Sequence, residues 1–264
     1  MNNIFIHPTA IVSKKANIGK EVKIGPYCCI GDDVTLDDRV ELHSHVVIEG
    51  LTFIGEGTKI SSFSVIGSAP QFMGAIKDKS KVIIGKNNQI REHVTIHAGT
   101  QKEGTSVGDN CLIMVSSHIA HDCHVGNGVW MANNATLGGH VEIGDHVIIG
   151  GVSGIHQKVR LGRGCIIGGL SGVEGDVIPY GSVMGNRARL CGLNLVGLRR
   201  RGVERDCIHK LRAAYRLLFA DEGTLTERIQ DAVALFKDDS VVMEVVEFLK
   251  QNAQNNMRPV CLPR

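Results

Sequence analysis

Residues 6–31 read IHPTAIVSKKANIGKEVKIGPYCCIG, and every sixth position (Ile6, Val12, Ile18, Ile24, Ile30) is aliphatic. The register runs on through Leu36, Leu42, Ile48, Ile54, Ile60 and Ile66 and returns at Ile84, Ile90 and Ile96. After a slip of five residues it resumes at Val107 and holds through Ile113, Ile119, Val125, Met131, Leu137, Ile143, Ile149, Ile155, Leu161, Ile167 and Val173. A period of six fits neither an amphipathic helix nor a two-sided strand. It is one side of a coil, a short strand followed by a corner. Two residues before each aliphatic stands a small or β-branched residue, such as Ala10, Ala16, Val22, Cys28, Cys111, Ser117 or Ala135, which the strand's period of two also points inward. Three sides close a triangular prism whose successive coils lie eighteen residues apart in sequence and about 4.8 Å apart in space. No coil buries its aliphatics alone, and stacking makes one continuous core. Glycine often follows the aliphatic, as at Gly19, Gly25, Gly108 and Gly126, where the expectation is a corner of positive φ.

Composition agrees with a slender prism: aromatics make up 4% of 264 residues, and there are 32 glycines. A net charge of +2 argues neither for a general nucleic-acid binder nor for a solubilising acidic tail. No apolar run is long enough for a membrane span and the amino terminus lacks a signal-peptide core, so the expected location is the cytoplasm. Of the eight cysteines, Cys28, Cys111, Cys123 and Cys165 fall on the small inward position and read as core filler. No CxxC pair points to a zinc ribbon or a redox site.

Two loops, at about 67–81 and 97–106, interrupt the hexads, and excursions from a rigid coil read as walls of a site. The repeat ends at Pro179-Tyr180-Gly181, which gives a β-helix over 1–191 and a helical domain over 192–264. Helices are expected over Glu204–Phe219, after Thr224 (with Glu227 as a capping box) and over Ser240–Gln251. Arg199, Arg200 and Arg201 form a basic cluster, read either as a solvated face or as an anion site.

The chemistry concentrates in SSHIAHDCHVGN (116–127), where His118, His121 and His124 stand three apart and Asp122 follows His121. Coil spacing sets His140 near Asp122, and His156 near the coil position of Gly138 and beside Gly139. Two readings stay open: histidines converging on a metal, as in the γ-class carbonic anhydrases, or one imidazole acting as general base with a carboxylate to orient it. Side chains adjacent on a strand point apart, so His121 and Asp122 meet only if a corner intervenes.

The strings IHPTAIV (6–12), VTIHAGT (94–100), HIAHDCHVGN (118–127), ANNATLGGHVEIGD (132–145), GIHQ (154–157) and GLNLVGLRRRG (192–202) resemble, in this order, the bacterial UDP-N-acetylglucosamine O-acyltransferases. The resemblance covers essentially the whole chain. It implies a left-handed parallel β-helix followed by a small C-terminal helical domain, and that handedness is an exception to the crossover rule. The implied reaction transfers an (R)-3-hydroxyacyl group from the phosphopantetheine of acyl carrier protein to the glucosamine 3-hydroxyl of UDP-N-acetylglucosamine. That is the first step of lipid A biosynthesis, and it needs no metal or other cofactor.

By position, the resemblance makes His121 the general base, Asp122 its orienting carboxylate and the Gly139 N–H the oxyanion donor. His118, His140 and His156 would line the cleft, and Gln71, His97, Gln157, Asn194, Arg200 and Arg201 would contact the nucleotide sugar or the donor. Gly169 and Arg187 would bound the acyl groove, glycine leaving it open for a long chain. Departures from the family pattern are Phe72-Met73-Gly74 after Gln71, Arg187 where His is usual, Lys158 where an aromatic is common, and Val196 in place of an acid. The family also implies a homotrimer with its site between prisms. The basic tail (Arg199–Arg201, Arg205, Lys210, Arg212, Arg216) is expected to dock the acidic carrier protein. A related N-acyltransferase carries an added amino-terminal domain, whereas this prism starts by Ile6. A purely structural trimer would leave the clustered histidines unexplained.

Overall fold

In the computed structural model, residues 3–71, 73, 80–254 and 258–263 are described. The chain is a left-handed parallel β-helix followed by helices. Among these residues the short strands form three sheets of 11, 9 and 8 strands, taken in turn by each successive side of the coil. The register is the eighteen-residue one: Ile6 pairs with Ile24, Ile24 with Leu42, and Ile30 with Ile48. Ile54 pairs with Ile84, a 30-residue step, so the first loop inserts twelve residues. Twelve is two hexads, which is why the phase survives it. Phe72, Gly74, Lys77 and Asp78 of that loop lie outside the described residues. The second loop makes Val82 pair with Thr105, a 23-residue step and a true slip of five.

The aliphatics form the core: Ile24, Ile48, Ile54, Ile60, Ile90, Ile113 and Ile119 are each 0% exposed. Burying each stabilises the prism by roughly 1.5–3 kcal/mol. Cys28, Cys111, Cys123 and Cys165 are buried as expected. Three of them do more than fill space. Their thiols donate to main-chain carbonyls of the next coil, Cys28 to His43 (2.8 Å), Cys111 to Gly126 (3.2 Å) and Cys123 to Gly138 (3.1 Å). Ser117 and Ser153 do the same with Ala132 and Gly168. The small inward position thus supplies side-chain donors to corner carbonyls as well as filling space.

The glycine expectation needs correcting. Gly67 after Ile66 does take positive φ, but Gly19, Gly25, Gly108 and Gly126 do not, and positive φ falls instead three residues after the aliphatic, at Tyr27, His45, Phe63, His93, Asp122, His140 and Lys158 among others. Glycine follows the aliphatic for lack of space: a Cβ on Gly25 or Gly126 would lie 2.8 Å from the backbone of the next coil.

The coil also runs past Pro179. Gly181–Met184 still pairs in parallel with Ile166–Ile167, then turns back antiparallel to Arg189–Leu193 and closes the prism's end. Four helices follow among the described residues: α1 (Leu195–Arg200), α2 (Arg205–Leu218), α3 (Leu225–Phe236) and α4 (Ser240–Gln254). The short α1 has too few apolar residues to be read from periodicity. Helix α3 begins in the capping box of Thr224 and Glu227. Arg160 fastens α4 to the prism: its Nε donates to Asp176 (2.9 Å), its guanidinium lies 4.3 Å from the Phe248 ring, and Asn252 donates to the same carboxylate. No helix among the described residues is long and apolar enough to cross a membrane.

Candidate active site

His118 and Ile119 form a strand of the second sheet, and His124 and Val125 start the next strand on the third. His121 and Asp122 therefore sit on the corner between the two. Asp122 takes φ 58°, and this left-handed bend turns its carboxylate back onto its neighbour. His121 Nδ1 donates to Asp122 Oδ2 at 2.8 Å, with side chains 13% and 5% exposed. The bond fixes the tautomer that leaves Nε2 with its lone pair. One coil on, at φ 59°, His140 places Nε2 3.7 Å from the same oxygen, its ring edge-on to His121 at 5.1 Å. A Cβ on Gly139 would lie 2.5–2.6 Å from His121 Cε1 and Nε2, so the imidazole rests where only glycine leaves room.

The Asp122 carboxylate is held from a second side. It accepts the Thr100 N–H (2.9 Å to each oxygen), the Thr100 hydroxyl (2.7 Å) and the Gln101 N–H (3.1 Å), while its own N–H donates to Thr105 Oγ1 (2.9 Å). Burial alone would raise its pKa, but the donors from His121, Thr100 and Gln101 outweigh it and hold the group below the usual carboxylate range. The reading from sequence missed Thr100, Gln101 and Thr105. The five-residue slip and the glycine before Thr100 were the only signals for them.

Two more histidines back this corner. His118 Nδ1 is 2.7 Å from Thr95 Oγ1, and burial, helped by the positive charge His97 and His121 can carry, pulls its pKa down to about 4. His97 is 8% exposed, lies edge-on to His118 at 4.7 Å, and has a buried Nδ1 without a hydrogen-bond partner. Burial lowers the pKa of His97 and of His140 as well. The cleft outside the corner, about 230 Å³, is lined by Gln101, Glu103, Gly104, Asp122, His124, His140 and Glu142. His121, Asp122 and His140 offer three ligand atoms within 4.8 Å of one another, a geometry a metal ion could use. Such an ion would have to displace donors already bonded to Asp122.

The other residues singled out in the sequence fall elsewhere. His156 and Gln157 are exposed one coil beyond Gly138 and Gly139, and Gln71 is exposed at the edge of the first loop. Asn194 is 7% exposed and caps α1: its side-chain oxygen accepts from Gly197 N–H and its amide donates to Gly164 O. Arg200 is exposed, whereas Arg201 lies 5.9 Å from the Tyr180 ring with Nη2 buried and unpartnered. Gly164 belongs to the corner between third and first sheets, so one prism does not bring α1 to the histidine corner. Gly169 lies exposed on the corner between first and second sheets, and Arg187 is exposed in the closing hairpin.

The coils are those of a hexapeptide-repeat protein, and the family model for bacterial transferase hexapeptides (six repeats) matches residues 15–50 and 104–139. A second family model, UDP N-acetylglucosamine O-acyltransferase domain 2, matches residues 176–261. The acyl-[acyl-carrier-protein]–UDP-N-acetylglucosamine O-acyltransferase of Caulobacter vibrioides is 53% identical over 98% of both chains. That of Rickettsia canadensis is 49% identical over 96% of this chain and 97% of its own. A crystal structure of UDP-N-acetylglucosamine acyltransferase superposes with a TM-score of 0.93 at 41% identity, covering 98% and 99% of the two chains. The Arabidopsis enzyme superposes at 0.87 with 35% identity, covering 97% of this chain and 100% of its own. The chain belongs to the UDP-N-acetylglucosamine O-acyltransferase family and is an acyltransferase.

Proposed function

We propose that this acyltransferase moves an (R)-3-hydroxyacyl chain from acyl carrier protein to the glucosamine 3-hydroxyl of UDP-N-acetylglucosamine, the first step of lipid A biosynthesis, with His121 as general base. The observation that carries the reading is the 2.8 Å bond from His121 Nδ1 to the buried Asp122 carboxylate, with the ring set against Gly139. His121 Nε2 takes the proton of the sugar hydroxyl as its oxygen attacks the thioester carbonyl carbon. The tetrahedral oxyanion accepts the Gly139 N–H. Its collapse expels the phosphopantetheine thiolate, which takes the proton back from the imidazolium. General-base assistance supplies roughly 10²–10⁴-fold, and the oxyanion donor about 10²–10³-fold. A thioester is reactive enough to need no covalent enzyme intermediate, and no step calls for a metal or other cofactor.

In this reading the low pKa of His118 keeps it neutral at pH 7, so it backs the substrate site without competing for the Asp122 carboxylate. His140 lines the cleft outside the corner, and His156, exposed one coil beyond Gly139, would line the part of the substrate site that a second copy completes. His97, Gln71, Gln157, Asn194, Arg200 and Arg201 serve the nucleotide sugar and the donor, and Gly169 and Arg187 bound the acyl groove. The separation of α1 from the histidine corner within one prism supports a homotrimer in which a second copy completes the cleft. An apolar outward column on the first sheet, Leu112, Trp130, Ile148 and Ile166 in register, supports self-association. The coils up to about residue 191 would carry the chemistry, and the part from 192 on would dock acyl carrier protein through Arg199–Arg201, Arg205, Lys210, Arg212 and Arg216. A cytoplasmic location fits a soluble carrier-protein donor.

The test is acyl transfer from hydroxyacyl carrier protein to UDP-N-acetylglucosamine after chelator treatment, for the wild type and His121→Ala. Metal-independent turnover that collapses in the variant supports the reading. Turnover lost to the chelator and restored by zinc would replace it with a metal mechanism. A wild type that turns over only a 3-amino sugar or another chain length would change the substrate and keep the chemistry.

A further inference from the structure

The loop inserted between Ile96 and Val107 does more than wall the cleft. Its backbone lies directly on the catalytic carboxylate: a Cβ on Gly99 would come within 2.4 Å of Asp122 Oδ1, 2.6 Å of Ser80 Oγ and 2.7 Å of Gly104 Cα. The successive amides of Thr100 and Gln101 point at Asp122 as an anion-binding nest. Ser80 Oγ donates to Gln101 O at 2.8 Å and ties the end of the first loop to the second. Asp122 Oδ2 is shared by His121 Nδ1 at 2.8 Å and Thr100 Oγ1 at 2.7 Å.

Without that loop the corner would offer His121 a carboxylate on an exposed bend, free to rotate away. We propose that Thr100 is a positioning residue for the acyl transfer: its hydroxyl and amide lock the Asp122 carboxylate in the one rotamer that keeps Oδ2 on His121 Nδ1, so the inserted loop assembles the general base. This rests on the general-base reading of His121. Thr100 touches no reacting atom and acts only through Asp122.

The expected signature separates positioning from mere structure. Thr100→Val keeps shape and backbone amide and deletes the hydroxyl donor. Losing a hydrogen bond to a charged group lowers kcat about ten- to thirtyfold, with KM for the nucleotide sugar held within about twofold. Thr100→Ser restores the donor and brings kcat back to within about threefold of wild type. In an Asp122→Ala background, Thr100→Val costs less than about twofold more, because the group it acts through is gone. Three results would overturn the proposal: wild-type kcat in Thr100→Val, Thr100→Ser as slow as Thr100→Val, or the full Thr100→Val loss repeated on Asp122→Ala. If Thr100→Val does not fold, Thr100→Ala takes its place in the same comparison. Retained activity in His121→Ala would sink the general-base reading itself. Collapse of His121→Ala beside an unaffected Thr100→Val would sink only the role given to Thr100.

Discussion

Two corners of this prism share a backbone and share nothing else. Where the first sheet turns into the second, Tyr27, His45, Phe63 and His93 take φ of 58–64° and stack their rings at 4.9, 4.8 and 5.1 Å, with Tyr27 57% and Phe63 49% exposed. Where the second turns into the third, Asp122, His140 and Lys158 take φ of 58–62°, and Asp122 is 5% exposed beneath a loop. The repeat gives both corners the same left-handed bend, which costs a non-glycine residue about 1 kcal/mol or more. At the first corner the bend merely displays side chains to water. At the second, five inserted residues cover it and supply donors, so an ordinary bend becomes a site where a histidine and a carboxylate consecutive in sequence meet.

The comparison breaks most directly at His121. Replacing it with Ala should lower kcat by roughly 10²–10⁴-fold and leave the melting temperature near that of the wild type, because the side chain sits on a corner rather than in the core. Gly139→Ala comes next, with an expected loss of about 10²–10³-fold. The added methyl must push aside an imidazole that Asp122 holds in place, and the donor N–H moves with it. Wild-type kcat in Gly139→Ala would mean that the ring sits elsewhere during turnover.

A pH prediction sharpens the contrast, because buried imidazoles are confined to the covered corner. Burial, then His97 and His121, lower the folded pKa of His118 to about 4 from 6.5. The unfolded chain thus binds this proton first, so the His118 contribution to stability is full above pH 6.5 and is lost as the pH falls toward 4. His97 and His140, lowered in the same direction, act alongside it. Asp122 is lowered too, so its contribution goes at more acid pH, as the pH falls through its folded pKa. Melting curves should therefore drop on acidification from 6.5 to 4, and His118→Gln should flatten that drop by a few degrees. Equal slopes in the two proteins would mean that His118 is solvated.

The stacked coils could be read because the aliphatic period reports burial directly: Ile113, Ile119 and Met131 are fully buried at the spacing the sequence shows. Helix α3 could be read from its cap. The inner corner geometry could not. Glycine after the aliphatic looked like a φ requirement and is a packing requirement, since hexads record spacing and not dihedral angles. Asp122 beside His121 was visible as a pair of residue types, and the eighteen-residue step brought His140 to it. Thr100 stayed hidden because its contact is made by one amide and a hydroxyl, beside the Gln101 amide, in a loop without periodicity. The loop's register slip marked where to look without saying which atom mattered.

The smallest effect belongs to the exposed corner. Phe63→Ala removes one ring from a stack that water already reaches on one side, worth about 0.5–1.5 kcal/mol per aromatic pair beyond area burial. It should leave acyl transfer unchanged. Three residues on, Ile66 is 0% exposed, and Ile66→Ala should cost about 2–5 kcal/mol. Chemical denaturation of the two variants measures the difference between a displayed and a buried side chain on one coil. A Phe63→Ala loss as large as that of Ile66→Ala would mean that the aromatic corner is covered in solution. The cover would then be another copy of this chain, and the distinction between the two corners would be one of partner rather than loop.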